Sequence, residues 1–211
     1  MVSKVQRPRN DWTPRTRLGR QVLQRKITSM PEIISNNFVI QESEIVTLLI
    51  PGLEYEVLEV RYVQKQTDAG RRASFRSTVV VGNRDGWVGV ASGKAKQVHM
   101  SIEKAVAQAL LNIAPLRRGC GSWECLCGTD HSLYVKSRGK WGSVRVNILP
   151  GPRGLGIVAG ETARTVVELA GVHDCWILSA GETRTTPSFA MATYDALRNT
   201  YKLVTKEIWV R

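Results

Sequence analysis

Four side chains within twelve residues carry the soft donors that a transition metal prefers. In the stretch Gly119–Ser132, GCGSWECLCGTDHS, the residues Cys120, Cys125, Cys127 and His131 are spaced C-x4-C-x-C-x3-H. Zn²⁺ accepts three thiolates and an imidazole in a tetrahedron, and four protein ligands leave no open position for a catalytic water. The pattern therefore points to structural zinc, a clip rather than a reaction centre. Its spacing departs from the common C-x2-C knuckles, so unmetallated thiols, and in smaller share a disulfide or redox pair, remain alternative readings. A reduced cytosolic compartment argues against disulfides.

Other reactive constellations are scarce. His173-Asp174-Cys175 sets an imidazole near a thiol in sequence, but neighbours on a turn or strand point in different directions, and Cys175 reads as a small buried apolar residue. The His-x-Glu and Pro-Cys-x-x-Cys pattern of zinc deaminases is absent. Gly151-Pro152-Arg153-Gly154-Leu155-Gly156 lacks the Lys-Ser/Thr ending of a phosphate-binding loop. It reads as a tight turn before a helix, whose backbone N–H groups and Arg153 meet a phosphate or a neighbouring protein. Lys94 and Lys96, in SGKAKQV, flank a predicted helix start, where cations are unfavourable unless anions are near. The residue inventory favours a binding protein over an enzyme.

Charge says what is bound. The 211 residues hold 30 Lys and Arg against 18 Asp and Glu, a net of +12. Residues 1–30 carry a net of +7, 31–60 a net of −6 with no basic residue, 61–153 a net of +11, and 154–211 balance. Concentrated positive charge on a folded domain attracts polyanions, because each neutralised phosphate releases counterions. Nucleic acid is the expected partner. No apolar run is long enough for a membrane span, no signal-peptide core is evident near Met1, and no basic amphipathic helix suggests a membrane surface. A cytoplasmic protein without a membrane partner is expected.

The elements that must position these residues follow from periodicity. Residues 1–30, with Arg7, Pro8, Arg9, Pro14, Arg15, Arg17 and Arg20, describe a basic arm rather than a core element. Ser29–Glu32 has capping-box spacing and opens a short helix, and QESEIVTLLIPG predicts another that stops at Pro51-Gly52. The acidic 31–60 segment packs against the basic arm or meets a basic neighbouring protein. VLEVRYV and SFRSTVVV read as strands separated by a polar loop over Gln64–Arg72, and WVGVA as a third strand after the Asp85-Gly86 turn. Val98, Ile102, Ala105, Val106, Ala109 and Ile113 then recur at helical spacing up to Pro115, with His99 on the surface. After the cysteine loop, SLYVKS and SVRVNIL, a glycine-rich turn, a helix ETARTVVELA closed by Gly171, a strand CWILSA and a helix opening at Thr186-Pro187 complete a second α+β unit. The expected domains are 1–30, a basic N-terminal arm; 31–118, the first folded domain; 119–131, a cysteine-rich connecting loop; and 132–211, the C-terminal α+β domain.

Taken as a whole, QKQTDAGRRASFRSTVVVGNRDGWVGVASGKAKQVHMSIEKAVAQALLNIAP from Gln64 to Pro115 resembles the signature of the small-subunit ribosomal protein five family. PRGLGIVAGETARTVVELAGVHDCW and FAMATYDAL resemble that family's C-terminal domain, and WTPRTRLGR with the cysteine loop resembles its archaeal branch. Leu155 stands where threonine is more usual, Met191 where lysine is expected, and Ala91 where glycine is common.

The resemblance implies an α+β fold: a double-stranded-RNA-binding-like α-β-β-β-α domain followed by a left-handed β-α-β unit. It implies a structural, non-enzymatic constituent of the small ribosomal subunit that binds small-subunit ribosomal RNA. It also implies contacts with small-subunit proteins three, four and eight, a place near where messenger RNA enters, and an influence on decoding accuracy. Carried over by residue, Arg71, Arg72, Ser74, Phe75, Arg76, Lys94 and Lys96 would meet RNA, and Arg153, Gly154 and Gly156 a neighbouring protein. The basic footprint adds Arg15, Arg17, Arg20, Lys65, Arg117, Arg118, Lys136, Arg138, Lys140 and Arg145 as RNA candidates. An RNA-modifying or zinc-dependent enzyme and a ribosome-independent double-stranded-RNA binder are the competing readings.

Overall fold

Three consecutive valines, Val79, Val80 and Val81, are each 0% exposed. Successive strand residues point to opposite faces, so this strand must be covered on both sides. The structure, a computed structural model describing residues 3–5, 12–125 and 127–202, supplies both covers. Arg7, Pro8 and Arg9 of the expected arm lie outside the described residues.

The first cover forms early in the chain. A short strand β1 (Ser3–Lys4) pairs antiparallel with the start of β2, and α1 (Arg17–Leu23) begins at Thr16, whose hydroxyl accepts the Gly19 N–H at 3.0 Å. Leu18 and Val22, one turn apart, are buried in the core beneath the sheet. From Thr16 onward the basic segment is therefore a core element, not an arm. Charge counting hid an amphipathic turn in which Arg17 and Arg20 face out while Leu18 and Val22 face in. Glu42 joins this segment to the acidic one, accepting the backbone N–H groups of Arg15 at 2.9 Å and Thr16 at 2.7 Å. Helices α2 (Met30–Ser35) and α3 (Ser43–Leu49) follow as expected, although the Ser29 side chain makes no capping hydrogen bond.

Strands β2 (Glu54–Thr67), β3 (Gly70–Gly82) and β4 (Trp87–Ala95) form an antiparallel meander, and α4 (Val98–Leu111) returns across it. The order α3-β2-β3-β4-α4 is the expected α-β-β-β-α. The polar loop predicted over Gln64–Arg72 is instead paired strand: Gln64 faces Ala73, Lys65 faces Arg72, Gln66 faces Arg71, and only Asp68-Ala69 turn. This end of the hairpin runs past the helices, so both faces meet water and its alternation loses the apolar half that marks a strand. Gly89 and Gly93 let α4 press onto β4: a Cβ on either would come within 2.3 Å of Ala109 O or 2.5 Å of Ser101 O. Ala91, between them, is buried in the same core.

The second cover comes from the C-terminal domain. Strand β5 (Ala114–Pro115) closes the five-stranded sheet, and the two-residue strands β6 (Arg118–Gly119) and β7 (Ser132–Leu133) pair as a neck around the cysteine loop. SLYVKS thus yields only a short strand, while the polar SRGKW forms β8 (Ser137–Trp141) beside β9 (Val144–Pro150). The glycine-rich turn contains β10 (Ile157–Val158); α5 (Glu161–Ala170) crosses to β11 (Cys175–Ala180), which lies parallel to β10. Helix α6 (Thr186–Thr200), capped one residue earlier than expected at Thr185, packs on this four-stranded sheet of order β10-β11-β9-β8. Val80, Val88 and Val90 join the α5/α6 core, whereas Val79 and Val81 join the α1–α4 core. The two domains therefore share one sheet, with apolar side chains on both faces. Among the described residues no helix is long and apolar enough to cross a membrane.

Candidate nucleic-acid interface and metal centre

Strand register brings cations together across the sheets. Arg61 lies opposite Arg76, and Arg76 opposite Lys94, a row of three across β2, β3 and β4. Farther along the hairpin Lys65 lies opposite Arg72, and in the second sheet Lys140 lies opposite Arg145. Like charges directly opposite one another destabilise a sheet. Such pairs are sustained when an anion lies between them: Glu59 pairs with Arg61 within the protein, and for the other cations phosphates spaced along a nucleic-acid backbone supply one. By alternation Lys65, Arg72, Ser74 and Arg76 share one face of the hairpin with Arg61 and Lys94, and this face opens into a cleft of about 560 Å³. Arg61, Arg76, Ser92, Asn112, Trp141 and Thr185 line that cleft between the domains.

The expected RNA residues divide by partner. Arg71, Arg72, Lys65, Lys94, Lys96, Lys136, Arg138, Lys140 and Arg145 are exposed and have no carboxylate partner among the described residues. Arg15, Arg17 and Arg20 are exposed on and before α1. Arg76 reaches Ser92 Oγ at 2.9 Å, and Phe75 packs against Tyr62 across the hairpin with ring centroids 5.4 Å apart. Ser74 donates to Val63 O at 3.4 Å. The backbone of β8 is held by α6, with the Lys140 N–H on Asp195 at 3.1 Å and Asn199 on the Arg138 carbonyl at 2.7 Å, which leaves the basic side chains outward. Arg117 lies over the Tyr201 ring at 5.7 Å. Arg118 is turned inward: it pairs with Asp85 and reaches the Gly171 carbonyl at 3.5 Å. Arg61 was missed by sequence reasoning, because only the register reveals that it extends the Arg76 row.

The cysteine loop is drawn into a group by its neck. The ligand atoms of Cys120, Cys125, Cys127 and His131 all lie within 4.8 Å of one another, and all four cysteines of the protein are free thiols. A zinc tetrahedron with Zn–S bonds near 2.3 Å has edges of about 3.8 Å, so the set is within about 1 Å of that geometry. Cys125 Sγ is 3.7 Å from His131 Nε2. The donor set fits Zn²⁺ in kind, number and spread.

Its electrostatics favour the thiolate at two of the three cysteines. The Thr129 hydroxyl and N–H hold the Cys127 thiol down at about 6, and the His131 imidazole lowers that of Cys120. The Arg153 N–H pulls Cys125 down, but the neighbouring Cys127 and burial push it up further. Burial alone would lower His131; Cys120, Asp174 and Cys127 raise it overall. Cys175 differs: fully buried beside Asp174, it is pushed up to about 12 by desolvation, as expected of an inert core thiol.

The second residue that sequence reasoning missed is Asp174. Its Oδ2 takes a hydrogen bond with His131 Nδ1 at 2.8 Å, and its Oδ1 accepts the N–H groups of Gly154 at 3.1 Å and Gly156 at 2.8 Å. The glycine loop's amides are therefore directed inward to a carboxylate, which removes the expectation that they face an external phosphate. Gly154 and Gly156 both have positive φ, 88° and 76°, the conformation that turns their N–H groups toward one anion. Arg153 and Gly154 remain exposed on the outer side, Leu155 is half-buried, and Met191 lines the interdomain cleft. Forty-three residues separate His131 from Asp174, and no local pattern announces their pairing.

Comparison with known proteins bears on the whole chain. Residues 53–117 match the model of the ribosomal protein S5 N-terminal domain, and residues 139–211 that of the ribosomal protein S5 C-terminal domain. The chain is 56% identical over 198 residues to small ribosomal subunit protein uS5 of Aeropyrum pernix, covering 94% of this chain and 91% of that protein. It is 51% identical over 199 residues to the protein of the same name from Thermofilum pendens, covering 94% and 98%. With the Saccharolobus solfataricus protein of that name, identity is 50% over 201 residues, covering 95% and 94%.

Proposed function

The chain belongs to the ribosomal protein S5 family, and from that premise we propose that it is a structural constituent of the small ribosomal subunit that holds ribosomal RNA through phosphates along its cation rows. It acts in the cytoplasm as part of that subunit and carries out no catalysis of its own. The observation that carries the RNA reading is the register: Arg61–Arg76–Lys94, Lys65–Arg72 and Lys140–Arg145 put like charges opposite one another. An A-form duplex offers side chains a shallow minor groove and its phosphates, so these residues read shape more than sequence. Arg71, Arg72 and Phe75 at the far end of the hairpin, with Lys96, Lys136 and Arg138, extend the contact; Arg15, Arg17 and Arg20 supply it from α1.

The exposed Arg153–Gly156 turn is the protein-facing surface, directed to neighbours among small-subunit proteins three, four and eight. Through it and the RNA contacts the protein contributes to decoding accuracy near the point where messenger RNA enters. Cys120, Cys125, Cys127 and His131 hold a structural Zn²⁺ that fixes the connection between domains. Their mutual approach within 4.8 Å supports this reading.

Sedimentation of the tagged protein from cell lysate tests the assignment. Stoichiometric migration with the small subunit is expected; migration as a free protein under all salt and magnesium conditions would return the enzyme and free-binder readings. For the RNA surface, Arg71→Ala with Arg72→Ala should flatten the dependence of log affinity on log salt by about one to two units. An unchanged slope removes that end of the hairpin from the interface.

A further inference from the structure

The metal centre and the exposed glycine turn are joined by one buried carboxylate. Asp174 is 5% exposed, and each of its oxygens is used: one by His131 Nδ1, the other by the N–H groups of Gly154 and Gly156. Two further links run in parallel. The N–H groups of His173 and Asp174 both donate to the His131 carbonyl, at 2.9 and 3.2 Å. Ser132 fastens the same place from below, donating to the Asp174 carbonyl and accepting the Gly151 N–H at 3.2 Å.

We infer that Asp174 is a positioning residue that couples metal occupancy of the Cys120, Cys125, Cys127 and His131 group to the conformation of the Arg153–Gly156 turn, and so to the surface offered to a neighbouring protein. The inference rests on the structural-zinc reading. Its chemistry is that of an outer-shell carboxylate. With the proton of the imidazole on Nδ1 and held by Asp174, the lone pair of Nε2 is directed at the thiols, which is the tautomer a metal ligand requires. The same carboxylate supplies the acceptor that a turn with Gly154 and Gly156 in the left-handed region requires, because two inward N–H groups without an acceptor would be costly. A metal that fixes His131 fixes Asp174, and Asp174 fixes the turn. By linkage the relation is reciprocal: a partner that clamps the turn raises metal affinity by the factor by which metal raises affinity for the partner.

The full chain, loaded with Zn²⁺ and then stripped by chelator, provides the test without any substitution. Backbone amide exchange is measured across residues 151–156, with the β2–β3 hairpin as internal reference. Stripping should speed exchange at Gly154 and Gly156 by about 5- to 150-fold and leave the hairpin unchanged. Asp174→Asn provides the second arm. Its carboxamide NH₂ would donate to Nδ1 and move the imidazole proton to Nε2, so Zn²⁺ affinity measured against a chromophoric chelator should fall about 10- to 100-fold. With Co²⁺ in place of zinc, the visible bands of that variant should change to those of a site lacking its imidazole. Unchanged exchange in the stripped wild type, or an Asp174→Asn variant with wild-type affinity and an unaltered Co²⁺ spectrum, overturns the coupling and leaves the zinc reading intact. A wild type that takes up no zinc overturns both.

Discussion

The far end of the β2–β3 hairpin and the cysteine clip are both polar, and they are polar in opposite ways. Lys65, Arg71 and Arg72 on the hairpin, and Lys94 beside it on β4, are exposed and lack carboxylate partners among the described residues, and the register sets several cations face to face. In the clip, His131 and Asp174 are buried, and Asp174 has partners on both oxygens. The free protein leaves the first region unsatisfied, which is what a surface awaiting a polyanion looks like. The second satisfies its buried polar groups internally, which is what an internal brace looks like. Removing parts of the hairpin should therefore cost binding without costing stability, and removing parts of the clip should cost stability without costing binding.

The largest effect expected from this contrast is metal loss. With zinc held at a thousandfold excess over its dissociation constant, binding contributes about 4 kcal/mol to stability. For a chain of this size that corresponds to about 8–16 °C in melting temperature. Cys125→Ser should bring metal stoichiometry by elemental analysis from one toward zero and lower the melting temperature by that amount, while the salt slope of RNA binding stays at its wild-type value. A slope that falls with the metal would make the clip part of the RNA surface and end the distinction.

Next in size is a pH effect confined to the clip side. Unfolded, Cys175 ionises near its ordinary value of 9; folded, it is held up to about 12. Between these values the unfolded chain binds fewer protons than the folded one, so stability falls as pH rises through the window. At pH 10 the loss amounts to about 1.4 kcal/mol. Cys175→Ala should therefore lose less stability than wild type between pH 8 and pH 10, by about that amount in denaturant titrations. Equal losses would mean that the thiol is not insulated from solvent.

The hairpin logic makes a prediction of opposite sign for the second sheet. Arg145 faces Lys140 across β8 and β9. Arg145→Gln should stabilise the free protein by roughly 0.2–1 kcal/mol through relief of repulsion, yet reduce the RNA salt slope by about one. Loss of stability instead would show that the pair is not strained in the free protein.

How much of this was legible beforehand depended on the range of the interactions. The β-β-β-α order and the helix closed by Gly171 rest on local alternation and turn chemistry, and the cysteine spacing is contained in twelve residues. What escaped reading depends on partners distant in the chain. Arg61 gains meaning only opposite Arg76, fifteen residues away by hairpin register, and Asp174 only against His131 and the glycine turn. The amphipathic turn at Leu18 and Val22 was hidden because net charge averages over two faces that the helix separates. The paired strand at Gln64–Arg72 was read as loop because exposure on both faces removes the period-two signal.

Arg118 tests the rule at its weakest point, because charge alone cannot distinguish a contact residue from an internal tie. It belongs to the +11 segment that suggested RNA contact, yet its guanidinium pairs with Asp85 on the β3–β4 turn and reaches the Gly171 carbonyl at the end of α5. Those two groups belong to different domains, so the side chain acts across the shared sheet. Its partner Asp85 is largely exposed, which limits the pair to a contribution of about 0.5 kcal/mol. Arg118→Ala should thus lower stability by about that much and leave the salt slope unchanged. Arg72→Ala, measured alongside, should change the slope by about one and cost no stability, since Arg72 faces Lys65 across the hairpin. If Arg118→Ala reduces the slope as Arg72→Ala does, RNA competes successfully with Asp85 for this side chain, and partner counting in the free protein underestimates the binding surface.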